Sequence, residues 1–402
     1  MSWKKSTIGD VLSVIKNGIN CEQNKIPVGE KITRIETIAK KRFDFQRVGY
    51  ANLTEGERER SQLKVGDILF SHINSPIHVG KTALYEGEED VYHGINLLLM
   101  RTNEDVNPNF FNHFLNHLFV TGYWEENCKK SVNQASVNQK DISKVEFNYP
   151  SLSTQQKIVA KLDAIFAEID KATAAAEANA KNAEALFQSY VTGVFESKKY
   201  DFKLVKFGTT ASFVRGPFGG SLKKSIFVEK GYAVYEQQHA IYNQFSDIRY
   251  FIDKSKFEEM KRFELKSGDL IMSCSGTMGK IAIVPENIEQ GVINQALLKI
   301  SPNRIVMGEY IARLLSSKYF QDILSKLSGG AAIQNVPAVS VLKDITVPVP
   351  SIKNQKSIVD IIDFLESNKS IIKNSYKAKS KELASLKQSI LQKAFSGELV
   401  KD

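Results

Sequence analysis

The sequence has 402 residues, of which 42% are hydrophobic, 10% aromatic and 25% charged, so it predicts two or three folded domains and argues against a disordered chain. It has no apolar run of the roughly 20 residues that a bilayer span needs, and its three cysteines are widely spaced with no CxxC motif. We therefore predict a cytoplasmic protein of a reducing compartment, with no disulfide framework, cysteine zinc site or membrane segment.

Residues 1–150 predict a first globular domain that mixes strands and helices. Gly66-Asp67 before an apolar run indicates a turn that enters a strand, and Phe110–Phe119 predicts an amphipathic helix after the break at Asn107-Pro108. Basic and acidic side chains balance in this domain, with 19 of each. Any affinity for phosphate must therefore come from local clusters such as Lys40-Lys41-Arg42 with Arg47.

Residues 151–199 predict a first long helix. Between Thr154 and Phe195 there is no proline and one glycine, and apolar residues recur in alternating steps of four and three. This 3.5-residue period is typical of a left-handed coiled coil. The predicted seam comprises Ile158, Leu162, Ile165, Ile169, Ala172, Ala176 and Leu186.

The second half of the chain repeats the first with an offset of 200 residues. Pro150-Ser151-Leu152 recurs as Pro350-Ser351-Ile352, and Gln155 recurs as Gln355. Residues 200–350 therefore predict a second mixed domain, in which Ala282–Val284 and Ala296–Ile300 are strands and Gly308–Phe320 is a helix. This domain carries 19 basic and 14 acidic side chains, as a phosphate-binding surface would.

Residues 351–402 predict a second long helix that pairs antiparallel with the first. Its predicted seam comprises Ile358, Ile362, Leu365, Ile372, Tyr376, Leu383, Leu386 and Ile390. In an antiparallel pair the small Ala172 and Ala176 would face the bulky Ile372 and Tyr376, which fills space. The alternative is that the alanine-rich stretch is a good helix former on a solvated face.

The fold class expected is α+β: two mixed α/β domains separated by two long helices that pair as an antiparallel coiled coil, with a pseudo-twofold internal repeat of 200 residues. The sequence shows no set of residues that is typical of a catalytic site. Gly80-Lys81-Thr82 lacks the first glycine of a phosphate-binding loop, and His113 with His117 has no third metal ligand in view. The sequence therefore predicts a protein that binds rather than reacts, with no metal and no cofactor of its own.

Several stretches resemble the specificity (S) subunit of type I restriction–modification systems over essentially the whole chain. They are Pro150–Val159, Pro350–Val359, Ser389–Val400, Gly216–Lys224 and Leu265–Gly279. The resemblance implies a non-catalytic subunit for defence against phage. Each globular domain would be a target-recognition domain for one half of a split, asymmetric site in double-stranded DNA, and the helices would form the spacer.

The resemblance also implies partners. Two modification (M) subunits would dock on the helices and use S-adenosylmethionine. Restriction (R) subunits would join through the complex and use ATP and Mg²⁺. If the helices set the gap, inserting one heptad into both should lengthen the tolerated spacer and leave each half-site unchanged.

Side chains that suit base edges or phosphates are the candidate DNA contacts, because Asn and Gln pair with adenine and Arg and Lys with guanine or phosphate. In the first domain they are Lys41, Arg42, Ser71, His72, Asn74, Gln134, Asn138 and Gln139. In the second they are Lys223, Lys224, Gln237, Gln238, His239, Tyr242, Asn243, Gln244, Ser275, Thr277, Gln334 and Asn335. For each of them the alternative is a solvated loop side chain.

Two other classes of function stay open from the residues alone. A free-standing DNA methyltransferase or nuclease would need a cofactor loop or a carboxylate cluster. A coiled-coil scaffold without a DNA role would explain the helices but not the duplicated α/β domains.

Overall fold

A computed structural model describes residues 3–132, 134–327 and 336–400. The chain forms two units. Unit 1 contains residues 1–177 and 378–402, and unit 2 contains residues 178–377. Each long helix therefore contributes one half to each unit.

Unit 1 is built from short strands and helices, followed by the first half of the first long helix. In chain order they are α1 (Ile8–Val11), β1 (Leu12–Asn17), β2 (Glu30–Ile32), β3 (Gly49–Ala51), α2 (Glu55–Ser61), β4 (Ile68–Phe70), β5 (Ile73–Asn74), β6 (Thr82–Leu84), β7 (Leu98–Thr102), α3 (Pro108–Val120), α4 (Tyr123–Glu126), β8 (Lys129–Ser131), β9 (Gln134–Ser136), α5 (Gln139–Ser143) and α6 (Leu152–Glu196).

Unit 2 continues from the second half of α6. Its elements are β10 (Lys203–Lys206), β11 (Ala211–Arg215), β12 (Phe227–Val228), β13 (Tyr232–Tyr235), α7 (Gln237–Tyr242), β14 (Phe251–Ile252), α8 (Lys254–Glu259), β15 (Leu270–Ser273), β16 (Ile281–Ile283), β17 (Gly291–Ile293), β18 (Leu297–Pro302), α9 (Gly308–Ser316), α10 (Lys318–Leu327), α11 (Val339–Asp344), β19 (Thr346–Val349) and α12 (Ile352–Phe395), whose second half belongs to unit 1.

Each unit contains the same four-stranded antiparallel sheet. Its order is β1-β7-β4-β6 in unit 1 and β11-β18-β15-β16 in unit 2. Unit 1 adds the sheets β2-β3 and β5-β9-β8, whereas unit 2 adds β12-β14-β13-β17 and β10-β19. The predicted α+β class and the predicted repeat are confirmed. The predicted helix Gly308–Phe320 is divided at Ser317, whose side-chain oxygen accepts a hydrogen bond from the backbone N–H of Phe320.

The long helices complete the core of each unit. In unit 1, Ile158 and Leu162 of α6 share a buried cluster with Leu391 and Ala394 of α12. In unit 2 the other halves do the same: Val191, Val194 and Phe195 pack with Ile358, Val359 and Ile362. The main sheet of each unit therefore shares one hydrophobic core with the helix halves of that unit.

Polar contacts show that the helices run antiparallel within each unit. In unit 1, Lys387 pairs with Asp170, and Lys161 Nζ donates to the Leu399 carbonyl oxygen. In unit 2, the Lys369 ammonium lies 4.1 Å from the centre of the Phe187 ring, and Asn354 Nδ2 donates to the Tyr200 carbonyl oxygen. The predicted antiparallel pairing is thus confirmed inside each unit.

The buried stripe of each helix has a period of eleven residues rather than seven. Buried or half-buried side chains recur at Ile158, Ile169, Ala180 and Val191 in α6, and at Ile358, Lys369, Ser380 and Leu391 in α12. Eleven residues over three turns give 3.67 residues per turn, so the stripe does not require the left-handed supercoil that a heptad imposes.

The heptad prediction is wrong at four of the seam positions. Ala172 is exposed, and Leu186, Ile372 and Leu386 are 72%, 42% and 47% exposed. Among the other predicted seam residues, Ile158, Leu162, Ile169, Ala176, Ile358, Ile362 and Leu383 are buried, and Ile165, Leu365, Tyr376 and Ile390 are half-buried. Polar side chains such as Lys369 and Ser380 occupy half-buried positions of the eleven-residue stripe.

A duplicated glutamine connects each long helix to the α/β part of its unit. Gln155 is fully buried; its Oε1 accepts from the Asn107 N–H at 2.8 Å, and its Nε2 donates to the carbonyls of Asp105 and Pro150. Gln355 makes the same three bonds with Met307, Ile305 and Pro350. Each glutamine is accompanied by a polar contact between the long helix and a shorter one. His113 contacts Asp163 in unit 1, and Arg313 forms a salt bridge with Asp363 in unit 2.

The aspartate of the Gly-Asp turn is expected to matter more in unit 1 than in unit 2. The buried Asp67 accepts two bonds from Arg101, at 2.6 and 2.8 Å, whereas Asp269 accepts one from the Ser301 hydroxyl. Asp67→Asn should therefore lower the free energy of unfolding by about 2–3 kcal/mol, and Asp269→Asn by about 1 kcal/mol. Urea unfolding of both variants measures this difference, and equal losses would contradict it.

Candidate nucleic-acid interface

Three segments of unit 1 meet at one edge of its main sheet. Asn17 ends β1 and pairs in register with Leu98 at the start of β7, and Asn96 lies two residues before Leu98. Strand β5, which follows β4, carries Asn74 to the same edge. A cleft of about 580 Å³ results, lined by Asn17, Ile35, His72, Ile73, Asn74, Ser75, Ile95, Asn96 and Gln134. We call this the amide cleft.

Hydrogen bonds position the side chains of the amide cleft. Asn74 donates through Nδ2 to the Ser71 hydroxyl, and its Oδ1 accepts from the Ser75 N–H at 2.8 Å. The pairing of β5 with β9 places Gln134 near Asn74. Burial lowers the pKa of His72, and its Nδ1 has no hydrogen-bond partner within the described residues. His72 is itself buried, and so is its unpaired Nδ1, so the amides of this cleft rather than the imidazole suit the recognition of base edges.

A basic cleft of about 420 Å³ adjoins the amide cleft. It is lined by Lys25, Pro27, Arg34, Glu36, Gln46, Arg47, Val48 and Tyr50. Arg34 and Glu36 lie on either side of Ile35, which lines the amide cleft. The cations have only weak ion pairs, Arg34 with Glu36 at 3.4 Å and Arg47 with Asp44 at 3.6 Å. Cations beside amides are the arrangement that phosphate and base contacts require.

Unit 2 presents polar side chains at the equivalent sheet edge. Arg215 ends β11 in register with Leu298 of β18, as Asn17 does with Leu98. Ser275 follows β15, and its backbone carbonyl accepts from Gln237 Nε2 at 2.6 Å while its hydroxyl donates to Gln237 Oε1. Phe218, three residues beyond Arg215, is 92% exposed. The same edge is therefore polar in both units, with different side chains.

The predicted DNA contacts of unit 1 divide between this edge and other places. His72, Asn74 and Gln134 line the amide cleft. Ser71 was predicted wrongly as a surface contact, because it is 1% exposed and accepts from Asn74.

The other four candidates of unit 1 do not line the amide cleft. Asn138 caps α5 through the Asp141 N–H, and Gln139 lines a separate cleft with Thr7. Lys41 Nζ lies 4.4 Å from the centre of the Phe119 ring, and burial followed by repulsion from Lys81 and Lys387 lowers its pKa. Arg42 is exposed.

In unit 2, the structure brings Gln237, Ser275 and Thr277 together. His239 was predicted wrongly, because it is fully buried: its Nδ1 accepts from the Glu236 N–H and its Nε2 contacts the Asp247 carbonyl at 3.1 Å.

The remaining candidates of unit 2 lie on loops and at the surface. Gln238 donates to the Asp247 carbonyl, and Gln244 Oε1 accepts from the Ser246 and Asp247 N–H groups, so both hold their loop. Lys223, Lys224, Tyr242 and Asn243 are exposed. Gln334 and Asn335 lie outside the described residues.

Sequence reasoning missed four polar residues at these edges: Asn17, Asn96, Arg215 and Asn294. A signal was present, because Asn17 and Arg215 each end a strand directly before a glycine, and Ile95-Asn96 recurs as Ile293-Asn294. The offset between the repeats is 198 here but 200 at the helices.

Acid is expected to destabilise unit 1. Burial lowers the pKa of His93 from 6.5 to about 4, and its ring contacts the Leu97 carbonyl at 3.0 Å. Because the folded pKa lies below the unfolded one, the unfolded chain binds the proton first, and stability falls as the pH falls from about 6.5 towards 4. Between pH 7 and pH 5 this group should cost about 2 kcal/mol.

Denaturant unfolding at pH 7 and pH 5 measures that loss. His93→Gln keeps a donor for the Leu97 carbonyl and cannot titrate, so its stability should change less with pH than that of the wild type. An identical pH dependence in the two proteins would contradict the assignment.

The described ranges contain no group of three or more His, Cys, Asp and Glu side chains that could hold a metal ion. His113 is bonded to Asp163, and the His117 ring packs against Phe395, so the two histidines do not converge. In the part of the chain that is described, no helix has both the length and the apolar character that a membrane span needs.

The chain repeats one α/β unit, and the main sheet of each copy has a polar edge. The family model for the type I restriction modification DNA specificity domain matches residues 1–179 and 218–379, so the chain belongs to that family. It is a specificity subunit of the type I restriction–modification class, which recognises DNA sequence and is not itself catalytic. These matches do not support a free-standing methyltransferase, a nuclease or a scaffold.

One relative matches nearly the whole chain, and a second matches about a third of it. A specificity subunit of Methanocaldococcus jannaschii, named for the type I restriction enzyme MjaX, is 29% identical over 94% of this chain and 91% of its own length. The EcoBI specificity subunit of Escherichia coli is 32% identical over 35% of this chain and 30% of its own.

Solved structures share the fold. A chain from a study of complex assembly and conformational transition of the type I R-M system has a TM-score of 0.74 at 18% identity, covering 99% of this chain and 98% of that chain. The HsdS subunit from Thermoanaerobacter tengcongensis has a TM-score of 0.59 at 19% identity, with 99% and 97% covered.

Proposed function

We propose that each unit reads one half of a bipartite, asymmetric site in double-stranded DNA. The observation that carries this proposal is the sheet edge that recurs in both units with different polar side chains: Asn17 and Asn96 in unit 1, and Arg215 and Asn294 in unit 2. Because the side chains differ, the two half-sites should differ in sequence, and the whole site should not be a palindrome.

The two long helices set the gap between the half-sites, and two modification subunits dock on the complex. Those subunits supply S-adenosylmethionine chemistry, and restriction subunits supply ATP- and Mg²⁺-dependent cleavage. The relatives named as type I specificity subunits support these partners, and the continuous 45- and 44-residue helices support a stiff spacer. The complex would act in the cytoplasm, where host DNA lies.

Methylation sequencing tests the proposal directly. The full chain is expressed with the modification subunits of its host in cells without other methylases, and the methylated motif is read from genomic DNA. Two unequal half-sites with a constant gap are expected. A single continuous motif, or methylation by the purified chain alone, would contradict the proposal.

Insertion variants test the spacer. Eleven residues, one full period of the buried stripe, are added at equivalent places in α6 and α12. The tolerated gap should lengthen while both half-sites stay unchanged. Insertion into α6 alone is the matched control, and it should abolish methylation because the paired faces lose their register. An unchanged gap in the double insertion would argue against a helical spacer.

A further inference from the structure

Asn17 and Arg215 occupy the same place in the two copies of the main sheet. Each is the last residue of its strand, and each pairs in register with a leucine of the neighbouring central strand, Leu98 or Leu298. Their identities differ in the way that matters for DNA, because an amide and a guanidinium present different hydrogen-bonding groups.

The glycine after each residue holds the strand end at a fixed place. A Cβ on Gly18 would lie 2.3 Å from the carbonyl carbon and oxygen of Gly94, and a Cβ on Gly216 would lie 1.8 Å from the carbonyl oxygen of Asn294. Only glycine permits this close approach of two backbones. The residue before each glycine, Asn17 or Arg215, is therefore held at a fixed position at the end of its strand.

Both side chains retain hydrogen-bonding capacity. Asn17 is exposed, lines the amide cleft and makes no side-chain hydrogen bond within the described residues. Arg215 is half-buried and has no ion pair in that same part of the chain. Its guanidinium contacts the Cys274 thiol, where it partly offsets the burial that raises the pKa of that thiol to about 11. One thiol leaves most of the five guanidinium donors free.

We propose that Asn17 and Arg215 are equivalent specificity-determining residues, Asn17 contacting an adenine in one half-site and Arg215 a guanine in the other. The amide of asparagine matches N6 and N7 of adenine, and the guanidinium fork matches O6 and N7 of guanine, each through two bonds in the major groove. The assignment rests on the proposed function of the two units as half-site readers.

The experiment uses the full chain assembled with its modification subunits. Methylation rates are measured on duplexes that carry the wild-type motif with one base pair changed at a time. Arg215→Asn should lose a preference of about 10- to 100-fold for guanine at one position of one half-site, and leave the other half-site unchanged. Asn17→Arg should replace adenine by guanine at one position of the other half-site.

Two variants control for general effects. Arg304→Asn removes an exposed arginine of the same unit that is remote in sequence from the edge, and it should leave every base preference intact. Arg215→Lys retains a positive donor and should keep the guanine preference with slower methylation. If Arg215→Asn melts at a lower temperature than the wild type, the guanine preference of Arg215→Lys distinguishes a lost base contact from a general loss of stability.

The outcomes separate this inference from the function on which it rests. An unchanged motif in Arg215→Asn and Asn17→Arg overturns the inference alone. So does an equal loss on all four bases, because a phosphate contact would weaken every duplex alike. A wild-type complex without any sequence preference would instead overturn the proposed function.

Discussion

Gln155→Ala is expected to lower the free energy of unfolding by about 3–5 kcal/mol. The substitution leaves the Asn107 N–H and the carbonyls of Asp105 and Pro150 without the partner they have now, at a site where the glutamine is fully buried. A buried polar group that loses its partner costs about 1–3 kcal/mol, and three groups are affected. Chemical denaturation measures the loss.

Neighbouring and repeated positions provide the controls. Gln156→Ala alters an exposed glutamine on the same helical turn and should change stability by less than about 0.5 kcal/mol. Gln355→Ala should cost as much as Gln155→Ala, because the three bonds are repeated in unit 2. If Gln155→Ala and Gln156→Ala were equally mild, the glutamine would not be the fastening between the helix and the domain.

Gly216→Ala is expected to cost about 3 kcal/mol or more and to abolish recognition of one half-site. The added methyl group would lie 1.8 Å from the Asn294 oxygen, and this atom belongs to backbone that cannot swing aside as a flexible side chain would. The end of β11 must therefore move away from the segment that precedes β18. Arg215 moves with it, so base discrimination should fail together with stability.

Thermal melting and the methylation motif together measure this effect. Gly220→Ala is the matched control, because nothing lies within 4 Å of the Cβ that it adds. Gly18→Ala should have the corresponding effect on the other half-site, since its Cβ would lie 2.3 Å from Gly94. A Gly216→Ala protein with wild-type melting and an unchanged motif would refute the close approach.

The helices show how far a pattern in the sequence can be trusted. Their existence and length follow from the absence of proline and from the repeated apolar residues, whereas their antiparallel pairing was a hypothesis that the contacts within each unit confirm. Their seam does not, because Leu186 and Leu386 belong to the apolar pattern yet lie largely exposed. Lys369 is instead half-buried over the Phe187 ring, where its aliphatic stem and its charge both find partners.

The candidate DNA contacts show a second limit of prediction from sequence. Polar residue types suggested His239 and Ser71 as DNA contacts, but both use their hydrogen bonds inside the protein. A histidine or serine on a loop has the same sequence signature whether it faces solvent or fastens the loop. Asn17 and Arg215 were missed for the opposite reason, since strand residues draw little attention as binding groups.

The sequence by itself determined the duplication, the α+β class and the two long helices, because these depend on periodicity and on stretches that recur along the chain. The family was indicated separately, by the resemblance of stretches such as Pro150–Val159 to known specificity subunits. Only the tertiary structure decided which polar side chains share a sheet edge and which face of each helix is buried. Edges are assembled by strands distant in sequence, as when Asn17 meets Asn96 through the pairing of β1 with β7. Burial likewise depends on the partner that covers a face, and no local pattern contains that information.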